Sequence, residues 1–583
     1  MSPPSASHGD PAGSVLFSNT HEDIAEHRLS GVMQMRLDSM TDPDPPAALQ
    51  GMKSSSAGAA GTLQLGPETV LGGAAVRAMS WGATEAILVL VIVLYVGVRL
   101  WALNLFCIGS DDEYFTMWAV KGSWAEMMDW VVKDLVHPPF FYVLLKLWIL
   151  LGSKTLAWIS LFPYVFSIAS IVPFLLLCRE LNVRPWGRNL ALALMAVNWY
   201  LIGYAHFLRM YSLIQFLSLC SLWLFVKYLR QADAGVQQWL ALWAVNLVLV
   251  YTHYYGWMVV AAEGMFLWFW RRENIVPFSL SVAGLLLCFA PWVYAVASAA
   301  ADKTTPFTDH LAWLNRPTVL EVVRYYVTLN GPLEWRKSGF AALALFGVPV
   351  LLWWWNLIAT KHDRDGRDAR VFALLALASF LPAVLGFAAS RLLPLSVWHE
   401  KYLIIAAAPY LLLVALGVAR LQSAWVRNVT MIAVLAWAGL AGYEASEREL
   451  VIDWPELAKQ VALMDAGKDE VRIYALDMGT ALPVKFYLDW AGEQRFEVVV
   501  VRDPQKPPGN LYHWAAERGV KVVEAEDVAQ LAGAHFWVVC RGRGWERERL
   551  TLQKLTDSGH VVGRVLRSWN HRQSVSLIPV WRA

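Results

Sequence analysis

A polytopic α-helical membrane protein, with about eleven transmembrane helices and a C-terminal extracytoplasmic α/β domain, is the fold class this sequence predicts. Hydrophobic residues make up 57% of its 583 positions and charged ones only 16%, well away from the balance of soluble domains. Apolar segments near the roughly 20 residues needed to cross a bilayer recur along the chain. After residue 445 the pattern changes to short β-branched runs separated by helical stretches.

Residues 1–75 are rich in Ser, Pro, Gly and Ala and lack the pattern of a secretory signal. They are predicted to be a disordered cytoplasmic tail. The membrane domain, 76–445, carries spans at 82–106, 156–178, 188–205, 211–229, 238–255, 257–270, 276–298, 339–358, 371–389, 402–419 and 427–444. Within the outer loop 107–155, the run Pro138–Gly152 is shorter, opens on Pro-Pro and carries Lys146, so it reads as an interfacial helix at the membrane surface.

Charge tests that reading. With a cytoplasmic amino terminus the inner turns hold Arg179, Arg184 and Arg188, then Lys227 and Arg230, then Arg271 and Arg272, then Lys361, Arg364, Arg367 and Arg370, then Arg420 and Arg427. Inner loops are expected to be basic. Counting Pro138–Gly152 as a span would move every one of these clusters outside. The same count puts 446–583 on the extracytoplasmic side, where VRIYAL, FEVVVV, VKVVEA and HFWVVC read as strands; no GxGxxG turn assigns it a nucleotide.

The net charge of +2 and the scatter of basic residues argue against nucleic acid as a partner. Cys107, Cys178, Cys220, Cys288 and Cys540 show no CxxC pairing and read as small buried hydrophobes, with no disulfide framework and no cysteine-bound metal expected.

Candidate chemistry gathers in Gly109–Pro139. This stretch opens on Asp111, Asp112 and Glu113 and closes on Asp134 and His137-Pro-Pro. Acids at a membrane edge are functional candidates by default, although three acids in a row equally suit a solvated helix cap. Arg209, Arg316, Arg324, Arg391 and Lys401 fall on the same outer side, where topology does not require them; snorkelling to the interface is the plain alternative. His253, in an aromatic neighbourhood, and His206 read more readily as interfacial core than as ligands.

Taken together, Asp112-Glu113, HPPFFYVLLKLW from His137, GYAHFLRMYSL around Arg209, YTHYYG at Tyr251–Gly256 and HEKYLIIAAAPYLLL near Lys401 resemble the GT-C superfamily of membrane glycosyltransferases. The likeness is to the bacterial family 39/83-like enzymes related to protein O-mannosyltransferases and aminoarabinose transferases, and it covers Trp81–Tyr443. Lys401 stands where that family usually carries Arg.

The resemblance implies an integral protein of the bacterial inner membrane, working among membrane lipids. It implies a sugar donor linked to polyprenyl phosphate and a hydroxyl acceptor on the extracytoplasmic side, in an envelope glycan, a lipid or a protein. Asp112 aligns with the family's general base, and Glu113 would orient the acceptor, tune Asp112 or help bind a cation. His137, Arg209, Tyr211, His253, Lys401 and Tyr402 would bind substrate. Asp112, Glu113 and His137 are an oxygen-rich set that would suit Mg²⁺ or Mn²⁺, though no spacing compels it. The competing reading is a transporter or lipid flippase, against which the spans show no repeated halves and the charges cluster at one face.

Overall fold

This computed structural model describes residues 68–583 except 104–107, 231–234, 302–313, 332, 334, 360–365, 449–451, 469, 503–518, 525–530, 532, 543–544, 570–573 and 583. The chain divides into residues 1–69, of which only Glu68 and Thr69 are described, and residues 70–583, which hold everything that follows. Most of the expected tail, Cys107, Lys361 and Arg364 lie outside the described residues. The first helix, Glu68–Ala102, opens inside the stretch read as tail.

Eight helices among the described residues are long and apolar enough to cross a membrane: Gly82–Ala102, Leu156–Glu180, Tyr211–Arg230, Arg272–Ala301, Ser338–Ala359, Arg367–Leu392, Glu400–Ala419 and Ala424–Ser446. The remaining expected spans fall on shorter helices. Segments 238–255 and 257–270 become Val236–Thr252 and Gly256–Trp270, and 188–205 is broken into Pro185–Val197 and Trp199–His206. Asn198 makes that break. Its side chain accepts from Leu201 N at 3.1 Å and donates to Leu329 O at 2.7 Å, the competition with backbone that ends helices at Asn.

The run read as interfacial forms Phe140–Leu151, 12 residues long. At 1.5 Å per residue that is about 18 Å, short of a hydrocarbon core of about 30 Å. Lys146 departs from the surface reading: it is 6% exposed and donates to Val120 O at 3.3 Å and to Gly122 O. There it caps the last carbonyls of the helix Asp111–Lys121, where a cation complements the helix dipole.

A tryptophan clasp joins this helix to the next. Trp148 and Trp158 stack at 4.3 Å, each indole N–H donating to the other's carbonyl at 3.0 Å. A Cβ on Gly152 would meet the Trp158 ring at 2.1 Å. Gly152→Ala is therefore expected to unseat the clasp and lower the midpoint of thermal unfolding; an unchanged midpoint would show the clasp to be dispensable.

The helix Ile404–Ala419 is buried along nearly its whole length, and its neighbours include Pro185–Val197, Tyr211–Arg230 and Arg367–Leu392. A polar knot ties three other segments. Ser221 Oγ lies 2.6 Å from both Asn246 Oδ1 and Glu263 Oε1, and Asn246 Nδ2 donates to Glu263 Oε2 at 3.0 Å. Buried polar groups satisfied in this way add specificity to an otherwise apolar bundle.

The C-terminal part holds a seven-stranded sheet of β1 (Val471–Ala475), β2 (Phe496–Arg502), β3 (Lys521–Glu524), β4 (His535–Gly542), β5 (His560–Val562), β6 (Leu566–Trp569) and β7 (Ser574–Arg582). The order is β3-β2-β1-β4-β7-β5, with β6 also on β7. The first four strands pair in parallel and coincide with the four apolar runs read from sequence, while β7 runs antiparallel to β4, β5 and β6.

The helix Met478–Trp490, between β1 and β2, turns an aromatic ridge onto Asp111–Lys121. Phe486 packs 5.1 Å from the Tyr114 ring and 6.2 Å from Trp118, and the Tyr487 hydroxyl donates to Ile108 O at 2.8 Å. The sheet region is thus seated on the back of the helix that carries the acids. Truncating a buried Phe typically costs about 3–5 kcal/mol, so Phe486→Ala is expected to lower the thermal midpoint. Were the midpoint unmoved, this packing would contribute nothing to stability.

Candidate active site

The acids begin a helix because Ser110 caps it. Ser110 Oγ accepts from Asp112 N at 3.2 Å, and Glu113 completes a reciprocal capping box. Glu113 Oε2 accepts from Gly109 N and Ser110 N, each at 3.1 Å, while Oε1 accepts from Leu208 N at 2.9 Å. Glu113, 3% exposed, therefore staples Leu208, and with it Arg209, to the start of the acidic helix.

Burial is the largest influence on Glu113 and, against the pull of those three N–H groups, pushes its carboxyl up to about 7. Between the ordinary 4.5 and about 7 the folded protein holds a proton that the unfolded chain has lost, so stability falls as pH rises through that window. Thermal midpoints measured from pH 5 to 8 are expected to fall in the wild type and to be flatter in Glu113→Gln. Parallel slopes would remove Glu113 as their source.

Arg209, 2% exposed, lies 97 residues from Asp112 in sequence and against it in space. Its Nη1 donates to Tyr142 Oη at 2.9 Å, Thr116 Oγ1 at 3.2 Å and Asp112 O at 3.3 Å. Its Nη2 reaches the His137 ring and stands 3.8 Å from Asp112 Oδ1. Arg209 Nε and the Tyr211 hydroxyl are buried, and neither has a well-formed hydrogen-bond partner among the described residues.

His137 Nδ1 lies 3.0 Å from Asp134 Oδ2. Burial, followed by Arg209, lowers its pKa, and Arg209 Nη2 lies 3.0 Å from Nδ1 and 3.4 Å from Nε2. The chain reaches this point through Leu135, whose left-handed φ of 59° closes the helix Trp124–Asp134, and whose carbonyl accepts from the Tyr254 hydroxyl at 3.3 Å.

Lys401 closes the cluster from the far end of the chain. Its Nζ lies 2.7 Å from Asp112 Oδ2. The turn that presents it is held by phenols donating to carbonyls: Tyr200 to Glu400 O at 2.7 Å, Tyr255 to Val397 O at 2.9 Å and Tyr325 to Leu403 O at 2.7 Å. His399 Nδ1 accepts from Lys401 N at 3.1 Å.

Asp112 itself remains one-third exposed, 33%. Burial would raise its carboxyl, but Lys401 first and Arg209 next outweigh that and hold it well below the usual carboxylate range. A ring wall borders these groups: His253 lies 5.6 Å from His137, 4.9 Å from Tyr402 and 6.5 Å from Tyr211 between centroids, and Lys401 Nζ is 5.6 Å from the Tyr402 ring centre.

Asp112, Glu113, His137, Arg209, Tyr211, His253, Lys401 and Tyr402 thus gather in one place. Other cations that the sequence placed on the outer side are engaged elsewhere: Arg316 donates to Leu393 O and Pro394 O, and Arg391 lies over Phe387. Sequence reasoning did not single out Tyr142 and Thr116 as partners of Arg209, or His399. Tyr142 was within the HPPFFY motif, five residues after His137.

The residues expected to suit a divalent cation have other partners here. Asp112 faces Lys401 and Arg209, the Glu113 oxygens accept backbone N–H groups, and among the described residues no three His, Cys, Asp or Glu side chains gather to hold a metal ion.

The whole arrangement can be set beside solved structures. ArnT from Cupriavidus metallidurans bound to undecaprenyl phosphate superposes with a TM-score of 0.51 at 15% identity, covering 84% of this chain and 97% of that one. The apo form of the same protein gives 0.52 at 15% identity, covering 86% and 98%. This is an ArnT-like fold. No protein-family model and no curated protein sequence matches the chain. The likeness extends over nearly all of ArnT's own length.

Proposed function

We propose that this chain is a membrane glycosyltransferase, nearest in kind to the family 39/83-like enzymes. It moves a sugar from a polyprenyl-phosphate donor to a hydroxyl acceptor on the extracytoplasmic side of the bacterial inner membrane, with inversion and with Asp112 as general base. About eleven spans and an extracytoplasmic sheet region belong to the same reading. The observation that carries it is a partly open, ionised carboxylate held between two buried cations, Lys401 and Arg209. That ArnT has been solved with undecaprenyl phosphate bound supports the class of donor by analogy of fold.

A donor phosphate is drawn to Lys401 and to the fork of Arg209, charge-assisted bonds being the strong ones. Arg209 Nε and the Tyr211 hydroxyl supply further donors. As phosphate takes a share of Lys401, Asp112 loses part of the field that depresses its carboxyl and becomes more basic as the donor is seated.

The acceptor oxygen then attacks the anomeric carbon, the bond to the phosphate oxygen breaks, and the acceptor's proton passes to Asp112. The departing phosphate monoester, with a second pKa near 6, requires no general acid. Retention would need a second carboxylate as nucleophile, and the oxygens of Glu113 are already committed to backbone N–H groups.

Purified protein incubated with a panel of polyprenyl-phosphate sugars and an envelope acceptor extract is expected to release polyprenyl phosphate and label an acceptor. Labelled lipid crossing a vesicle bilayer with no donor consumed would replace this reading with the flippase one.

A further inference from the structure

At the end of the bundle opposite Asp112, four arginines from three turns converge. Arg230 ends the helix whose other end is Tyr211, Arg271 follows the helix that begins at Gly256 near His253, and Arg367 and Arg370 open the helix that ends at Leu392. Together they rim a cleft of about 300 Å³ in which Glu180 is the one lining carboxylate among the described residues. Its floor is apolar, with Val226, Phe266 and Leu374.

Asn182 sits at the junction with a left-handed φ of 51°. With its amide turned to satisfy the neighbouring donors, its oxygen accepts from Arg367 Nη2 at 2.8 Å and Arg230 Nη1 at 3.2 Å. Arg230 also bonds Glu180, and Arg271 bonds Glu273. Positive charge on this side is what topology requires, but topology asks only for a count of charges in short loops. It does not ask four guanidinium groups from three turns to share one cleft.

Near the same ends of their helices, Trp268 of Gly256–Trp270 and Trp354 of Trp335–Ala359 are exposed, at 57% and 47%, as expected at the level of lipid headgroups. We propose that this cleft is a binding site for the headgroup of an anionic phospholipid. Its phosphate lies among Arg271, Arg367 and Arg370, and the start of its acyl chains lies on Phe266 and Leu374. The converging guanidinium groups supply the affinity for charge, and the apolar floor favours a lipid over a free anion.

The test uses the full chain in neutral detergent, titrated with dioleoyl phosphatidylglycerol or dioleoyl phosphatidylcholine, with bound lipid counted by native mass spectrometry. Wild type is expected to retain phosphatidylglycerol selectively. Arg271→Gln with Arg370→Gln is expected to weaken that retention about tenfold or more, because two cationic groups no longer face the phosphate. Arg272→Gln with Arg427→Gln, which removes the same charge from the same end outside the cleft, is expected to change it little.

Equal weakening in the two double variants would overturn the site in favour of diffuse attraction. Equal retention of both lipids would overturn headgroup recognition, and displacement of the lipid by millimolar inorganic phosphate would make this a simple anion site. A cleft variant with a lowered thermal midpoint is replaced by Arg271→Lys with Arg370→Lys, which keeps the charge and is expected to keep phosphatidylglycerol.

Discussion

Asp112→Asn is expected to lower kcat by about 10²–10⁴-fold, the usual span of general-base help, while the KM for the lipid-linked donor stays level or falls. The amide cannot accept the acceptor's proton, yet it fills the same volume beside Lys401 and Arg209. It also removes the negative charge that competes with a donor phosphate for those two cations. Steady-state kinetics with the donor varied would separate the two effects. A variant that turns over at the wild-type rate would remove Asp112 from the chemistry, and one with a raised donor KM and normal kcat would recast it as a binding residue.

Arg209→Lys is expected to weaken donor binding about tenfold or more and to lower the thermal midpoint as well. Lysine keeps the charge but not the fork that reaches Tyr142, Thr116, the Asp112 carbonyl and His137 at once. Each buried partner left unsatisfied costs about 1–3 kcal/mol. Lys401→Arg is the control: the family it resembles carries Arg there, so activity is expected to survive. Donor titration of the two variants decides the matter. If Arg209→Lys binds donor and melts like wild type, the guanidinium does not touch the phosphate.

The sequence made the bundle legible because burial in lipid demands long apolar runs, and eight of those runs became helices long enough to cross a membrane. It did not reveal the break within 188–205, where one asparagine at 198 finds better partners than the helix offers it. Lys146 was legible as an oddity in an apolar run but not as the cap of a helix 24 residues earlier, since the partner of a side chain is a tertiary fact. The candidate site residues were found through motif resemblance, and the structure brings them together. Glu113 shows the limit of that route. Its neighbour on the motif is an open carboxylate, while Glu113 is spent on backbone N–H groups, one of them at Leu208. Consecutive residues on a helix point in different directions, and only coordinates say which of the two faces the opening.

Asp112 and Lys401 stand 289 residues apart. A chain made from its amino terminus has the acid long before it has that amine, and closing so distant a contact comes late in assembly. Until the segment Glu400–Ala419 enters the bundle, the acidic helix has Arg209 as its nearest strong cation, and the turn fixed by Tyr200, Tyr255 and Tyr325 does not exist. A chain that ends before Lys401 therefore lacks one of the two cations that hold Asp112. The same long-range pairing keeps the cluster incomplete until the segment around Lys401 has been made.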